Sequence, residues 1–168
     1  MCAREPWRRE MATKRKKTAK KARSKKVPAK RKTAAAGLET LKMRSASPSF
    51  TVNDLERSVA WYRDVLGFKV EERYERDGTL VGVGLQAGSV FFMLGQDDWK
   101  KGRDRKKGEG FRIYCMTTQD VDAIAKRIQA AGGALDQEPR DQPWGMRDFS
   151  LTDPDGYKIT IGVETKKR

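Results

Sequence analysis

The chain contains no histidine. That excludes Ser-His and Cys-His nucleophile pairs, a histidine general base and every imidazole metal ligand. Cysteine is almost as scarce. Cys2 and Cys115 lie far apart, offer no disulfide framework and fit a reducing cytoplasm. There is no run of about 18 apolar residues, so no membrane-spanning helix is expected. The opening segment MCAREPWRRE lacks an apolar stretch and does not read as a secretory signal.

Positive charge is abundant, and it is concentrated at one end. The 168 residues carry a net +14, of which the first 37 hold +13 and the other 131 hold +1. Lys14, Arg15, Lys16, Lys17, Lys20, Lys21, Arg23, Lys25, Lys26, Lys30, Arg31 and Lys32 stand among Ala, Thr and Ser. Residues 12–36 have no aromatic and too few large apolar side chains to bury, and their like charges repel. Residues 1–45 are therefore expected to form a disordered basic arm. Lys and Arg neutralise phosphates and release counterions without reading bases, so non-specific nucleic acid is the partner that this composition suggests. The arm resembles the lysine- and alanine-rich tails of histone-like proteins, which in a bacterium would place the chain at the nucleoid. The plainer reading is a solvated arm. Met11 also reads as an alternative start, with residues 1–10 as an extension.

From residue 46 the pattern changes. Ser49-Phe50-Thr51-Val52 reads as a strand, and Asn53 or Asp54 can cap the helix that follows. Leu55, Val59, Tyr62 and Leu66 recur at three- and four-residue steps, and Gly67 suits the helix end. Strands are expected over 68–74, 79–86 and 89–94, with turns at Asp77-Gly78 and Ala87-Gly88. Residues 95–110 are polar and read as a linker or solvated loop. Its Trp99 could instead serve a ligand lid or a partner contact. The second half repeats the first. A strand over 111–116 leads to a helix over 121–131 capped by Asp120, then to strands over 134–138, 147–152 and 157–163. An offset of 66 superposes Asp54 on Asp120 and Gly67 on Gly133. Such a duplication is a stronger signal than any single strand assignment. The expected class is α+β. Two β-α-β-β-β modules, about 46–95 and 110–165, curl into one cupped mixed sheet within a domain over 46–165.

Two segments carry a family resemblance: VNDLERSVAWYRDVLGF (Val52–Phe68) and WGMRDFSLTDPDGYKI (Trp144–Ile159). They resemble the vicinal oxygen chelate superfamily, which includes glyoxalase I, bleomycin-resistance proteins and extradiol dioxygenases. The resemblance implies a divalent metal in the cup, held by His on the first strand of each half and Glu on the last. Those positions fall at Ser47 and Ile113, and at Met93 (or Leu94) and Thr160. These side chains do not suit a divalent cation, so no metal and no cofactor is expected. The cup itself remains, as in bleomycin-resistance proteins, which sequester a ligand as homodimers. The expected pocket comprises Ser47, Ser49, Met93, Ile113, Cys115, Trp144, Arg147 and Thr160. Trp144 offers a stacking face or edge packing, and Cys115 a buried apolar side chain or a cup-facing thiol. Arg147 and Lys158 could meet an anionic ligand or lie in solvent. The function expected is metal-independent binding of an unidentified small molecule, with the arm as a tether to nucleic acid. Two alternatives stand beside it: a glyoxalase-like lyase or dioxygenase-type enzyme with non-standard residues, and a nucleic-acid-associated scaffold.

Overall fold

A computed structural model describes residues 44–165 of the chain. The basic arm, with the twelve cations from Lys14 to Lys32 and the choice between Met1 and Met11, lies outside the described residues.

The first half runs β1 (Ser49–Val52), α1 (Leu55–Trp61), β2 (Lys69–Arg76), β3 (Thr79–Ala87) and β4 (Val90–Gln96). The second runs β5 (Arg112–Met116), α2 (Val121–Ala130), β6 (Gln137–Asp141), β7 (Met146–Thr152) and β8 (Lys158–Glu164). Asp54 starts α1 by accepting from the Arg57 N–H at 3.0 Å. Asp120 starts α2 by accepting from Asp122 and Ala123. Each carboxylate satisfies an N–H that the first helical turn leaves unpaired. Beyond Trp61 the helix widens into a π-turn over Tyr62–Leu66, which Gly67 ends with φ +83. The Arg127 guanidinium on α2 then donates to the freed Leu66 carbonyl at 3.0 Å. At the β2–β3 hairpin Asp77 and Gly78 both have positive φ, the turn that matches strand twist.

The eight strands form two four-stranded mixed sheets, ordered β1-β4-β3-β2 and β5-β8-β7-β6. No ladder joins them, and β1 and β5 are free edges among the described residues. The strand expected at 134–138 lies at Gln137–Asp141 instead. It is an edge strand with a register break between Gln137 and Arg140, so it tolerates Pro139, which cannot donate to a ladder.

The helices hold the halves together. Phe50, Tyr62, Val83, Leu85, Phe92, Ile128, Phe149, Leu151 and Ile159 share one buried core. Full burial of such side chains contributes about 1.5–3 kcal/mol each. A polar clamp adds direction. The Tyr62 hydroxyl donates to Asp153 at 3.0 Å, and the Asn53 N–H and Ser58 hydroxyl donate to Asp155 at 2.8 and 3.1 Å. The Tyr157 hydroxyl donates to the Thr51 carbonyl at 3.0 Å. The Asp-Pro-Asp-Gly segment therefore does more than turn the chain: its two carboxylates bind the other half.

Residues 95–110 are not a free linker. Asp97 is 5% exposed and accepts from Lys107 and Arg105, each at 2.8 Å, and from the Trp99 N–H at 2.9 Å. The Lys107 ammonium also donates to Asn53 at 2.5 Å. Arg103 and Lys107 stand over the Trp99 ring at 4.5 and 5.2 Å. Gly108 and Gly156 meet backbone to backbone, where a Cβ on Gly108 would collide with the Gly156 carbonyl. The loop is pinned to the body, and Trp99 serves that anchorage.

Candidate functional site

Each sheet has one face under the helices and one open face, and cross-strand register decides which residue lies where. In the first sheet, Ser49 pairs with Met93, and Met93 with Gly84, on the open face. Ser47 precedes β1 with the same parity and is exposed. Leu94 is 1% exposed and belongs to the core. In the second sheet, Tyr114 pairs with Thr160 and Thr160 with Ser150 on the open face. Arg112, Lys158 and Thr152 form the row before it.

Ile113 and Cys115 correct the expected pocket. They pair with Ile159 and Ile161, so they face the helices and not the side that carries Thr160. The cause is loop length. Tyr114 sits opposite Thr160 as Ser49 sits opposite Met93, yet Tyr114 is six residues before Asp120 and Ser49 five before Asp54. One extra residue in the β5–α2 connection shifts the match, and Arg112, not Ile113, is the counterpart of Ser47. Arg147 is corrected too. Its guanidinium makes two 2.7 Å contacts to Asp122 on α2 and one of 3.0 Å to Asp141, which fixes it on the helix side.

The metal-ligand positions of the fold thus hold Ser47, Met93, Arg112 and Thr160. They include no carboxylate, imidazole or thiolate, and the guanidinium repels a cation. Among the described residues no group of three or more Cys, Asp and Glu is placed to hold a metal. These side chains do not fit a divalent ion.

A polar network occupies this open face. Asp148 is 2% exposed. It accepts from the Tyr114 hydroxyl at 2.9 Å, from Gln142 at 2.6 Å and from Gln137 at 3.4 Å. Gly162 makes the room, since a Cβ there would collide with the Tyr114 hydroxyl. Burial, then the Asp148 carboxylate, pushes the Tyr114 pKa up to about 12, with the Trp144 indole beside the same hydroxyl opposing the shift. Tyr114 is therefore a phenol donor at neutral pH and not a base. The Thr160 hydroxyl is buried with no hydrogen-bond partner. Trp144 is 65% exposed, and Met116, on the same face, 59%. Two apolar surfaces thus flank a set of aimed polar groups, which is the usual make-up of an organic-ligand site. The sequence reading missed Tyr114, Asp148 and Gln142. The alternation in Arg112-Ile-Tyr-Cys-Met116 was the available signal: Arg112, Tyr114 and Met116 take one face, and Ile113 and Cys115 the other.

Two cavities border the sheets. The larger, about 1210 Å³, lies between Phe68, the Ala87–Val90 turn, β5, β8 and α2, and Cys115 lines it. Burial pushes the Cys115 thiol up to about 11, so it stays protonated and weakly nucleophilic at neutral pH. The smaller, about 370 Å³, opens at the start of β5 between Lys107, Gly110, Arg112, Gly156 and Lys158.

Paired β-α-β-β-β modules of this kind define the vicinal oxygen chelate fold. Residues 44–161 match the Glyoxalase/Bleomycin resistance protein/Dioxygenase superfamily, and the chain belongs to that family. Among curated proteins it is 28% identical over 120 residues to lactoylglutathione lyase GLX1 of Arabidopsis thaliana, covering 67% of this chain and 41% of that one. It therefore spans about two fifths of that plant relative's length. It is 29% identical to the lactoylglutathione lyase of Haemophilus influenzae, covering 68% of this chain and 87% of that protein. Among solved structures, TioX from Micromonospora sp. ML1 superposes with a TM-score of 0.60 at 24% identity, covering 73% of this chain and 99% of that one. TnmS3, an antibiotic-binding protein from Streptomyces sp. CB03234, gives 0.58 at 24% identity, covering 75% and 100%. No helix among the described residues is long and apolar enough to cross a membrane.

Proposed function

We propose that the domain is a small-molecule binding protein that works without a divalent metal and takes its ligand on the open face of the second half. The observation that carries this reading is the network of Tyr114, Asp148 and Gln142 beside the unpartnered Thr160 hydroxyl and the exposed Trp144. The Ser47, Met93, Arg112 and Thr160 donor set argues against metal-dependent lyase chemistry. The structural likeness to an antibiotic-binding protein is in keeping with it. A second copy would cover the open faces, which makes a homodimer the expected assembly. The first 37 residues, with their net +13, are proposed to tether this binder to nucleic acid in the cytoplasm.

The test is a thermal-shift screen of flat amphipathic compounds, antibiotics included, on the full chain. A compound at 100 times its Kd should stabilise the fold by about 2.7 kcal/mol. Tyr114→Phe and Trp144→Ala should each weaken a hit at least tenfold. Hits indifferent to both substitutions would overturn the assignment of the face.

The runner-up is a lactoylglutathione lyase, favoured by the 28% and 29% identity to lactoylglutathione lyases of Arabidopsis thaliana and Haemophilus influenzae. Turnover of methylglyoxal with glutathione in the presence of nickel or zinc would establish it. The expected result is none.

A further inference from the structure

We propose that Arg112 and Lys158 form a subsite for an anionic group, a carboxylate or a phosphate, at one end of the open face. The two residues are directly opposed on β5 and β8. Like charges placed opposite each other across strands repel and destabilise the pair. Neither forms a salt bridge with a described residue, and the Asp136 carboxylate beside Lys158 is taken up by the Thr152 hydroxyl at 2.6 Å. The nearby Asp97 carboxylate is committed to Lys107 and Arg105, and Glu109 lies 3.7 Å from Lys106. Asp155 accepts from Asn53 and Ser58. Asp148, in a farther row, is committed to Tyr114 and the two glutamines.

The pair also faces a concavity. Arg112 and Lys158 line the 370 Å³ cavity together with Lys107, Gly108, Glu109, Gly110, Phe111 and Gly156, so two free cations stand against one carboxylate and glycine backbone is within reach of a small ligand group. Gly108 and Gly110 have positive φ, and backbone turns of that kind form concavities that suit anions, whereas the Gly156 N–H donates to the Asp153 carbonyl at 3.1 Å. The cavity keeps its shape because Asp97 pins Lys107 immediately before Gly108. The unpartnered Thr160 hydroxyl and the Tyr114 phenol stand two residues further along the same strands, about 7 Å away at ~3.3 Å per residue. A ligand with its acid group on Arg112 and Lys158 would lay its body toward Tyr114 and Trp144. The inference rests on the binding reading above and narrows it: the ligand is an acid.

The experiment uses the full chain labelled with nitrogen-15. Inorganic phosphate and, separately, acetate are added at constant ionic strength, so that the basic arm sees no change in total salt. Saturable shifts are expected at the Gly108 and Gly110 amides and at Arg112 Nε. Arg112→Gln with Lys158→Gln should weaken them at least tenfold without lowering the thermal midpoint, since the substitutions relieve a repulsion. The tighter of the two anions identifies the group. Shifts confined to the arm, or an affinity untouched by the double substitution, would overturn the subsite. If a Trp144-dependent compound binds while neither anion does, the subsite alone fails. If neither kind of ligand binds, the binding reading falls with it.

Discussion

Replacing Asp97 with alanine tests whether loop 95–110 is a built wall of the site. The Lys107 side chain is 2% exposed, and its ammonium contacts the Asp97 carboxylate at 2.8 Å and Asn53 at 2.5 Å. Without Asp97, a buried cation keeps one neutral acceptor, and Arg105, whose Nε already lacks a partner, loses its ion pair. Removing one member of a buried pair in this way costs about 3–5 kcal/mol. With a urea slope of about 1.5 kcal/mol/M, the unfolding midpoint should fall by about 2–3 M. Lys107→Met should cost less, about 1–3 kcal/mol, because Asp97 keeps Arg105 and the Trp99 N–H. The assay is urea unfolding at pH 7, paired with amide exchange over residues 102–110 to detect release of the loop alone. A loss under about 1 kcal/mol, the range of a solvated surface pair, with unchanged exchange would refute the reasoning. So would a larger loss in Lys107→Met than in Asp97→Ala.

The same pair sets an acid limit. Hydrogen bonding from Lys107 holds the Asp97 pKa at about 2, below its unfolded value near 4. Its contribution is full above pH ~4 and disappears as pH falls toward 2, so wild type should lose more stability across that window than Asp97→Ala. Tyr62→Phe removes the hydroxyl that donates to buried Asp153, and chemical denaturation should show a loss of about 1–3 kcal/mol. Gly133→Ala would place a Cβ 2.6 Å from methyl groups of both Val65 and Ile128, so a lower thermal midpoint is expected, equivalent to about 1–3 kcal/mol of overpacking. If the arm contacts six to ten phosphates, duplex affinity should drop about 10³–10⁵-fold between 50 and 200 mM salt. A chain beginning at Leu38 that binds DNA equally well would remove the tether.

Much of the fold was legible because its signals are local. The Leu55–Leu66 spacing, the Asp54 and Asp120 caps and the glycine turns each depend on neighbours a few residues away. The metal-site degeneracy was legible too, since a chain without histidine cannot supply the imidazole positions. The residues of the proposed site were legible only in part. Ser49, Met93, Trp144 and Thr160 do not lie under the helices. Ile113 was misplaced, and Cys115 takes its buried apolar reading and not the cup-facing one, because the offset of 66 holds for the helices and fails on β5, where one loop residue changes the match. Arg147 looked like a ligand contact because its partners, Asp122 and Asp141, are brought to it by packing. The 95–110 segment looked like solvated chain because composition does not show that Asp97 and Lys107 close onto each other.

The absence of histidine, the charged arm and the repeated module are properties of the sequence by itself. They determined the order of elements and ruled out a histidine-held metal. Tertiary structure decided which residues share the open face and which charges remain unpaired there. Side chains alternate along a strand, so a residue's face depends on the register its partner strands impose, and a single residue in a connecting loop is enough to exchange Ile113 for Arg112.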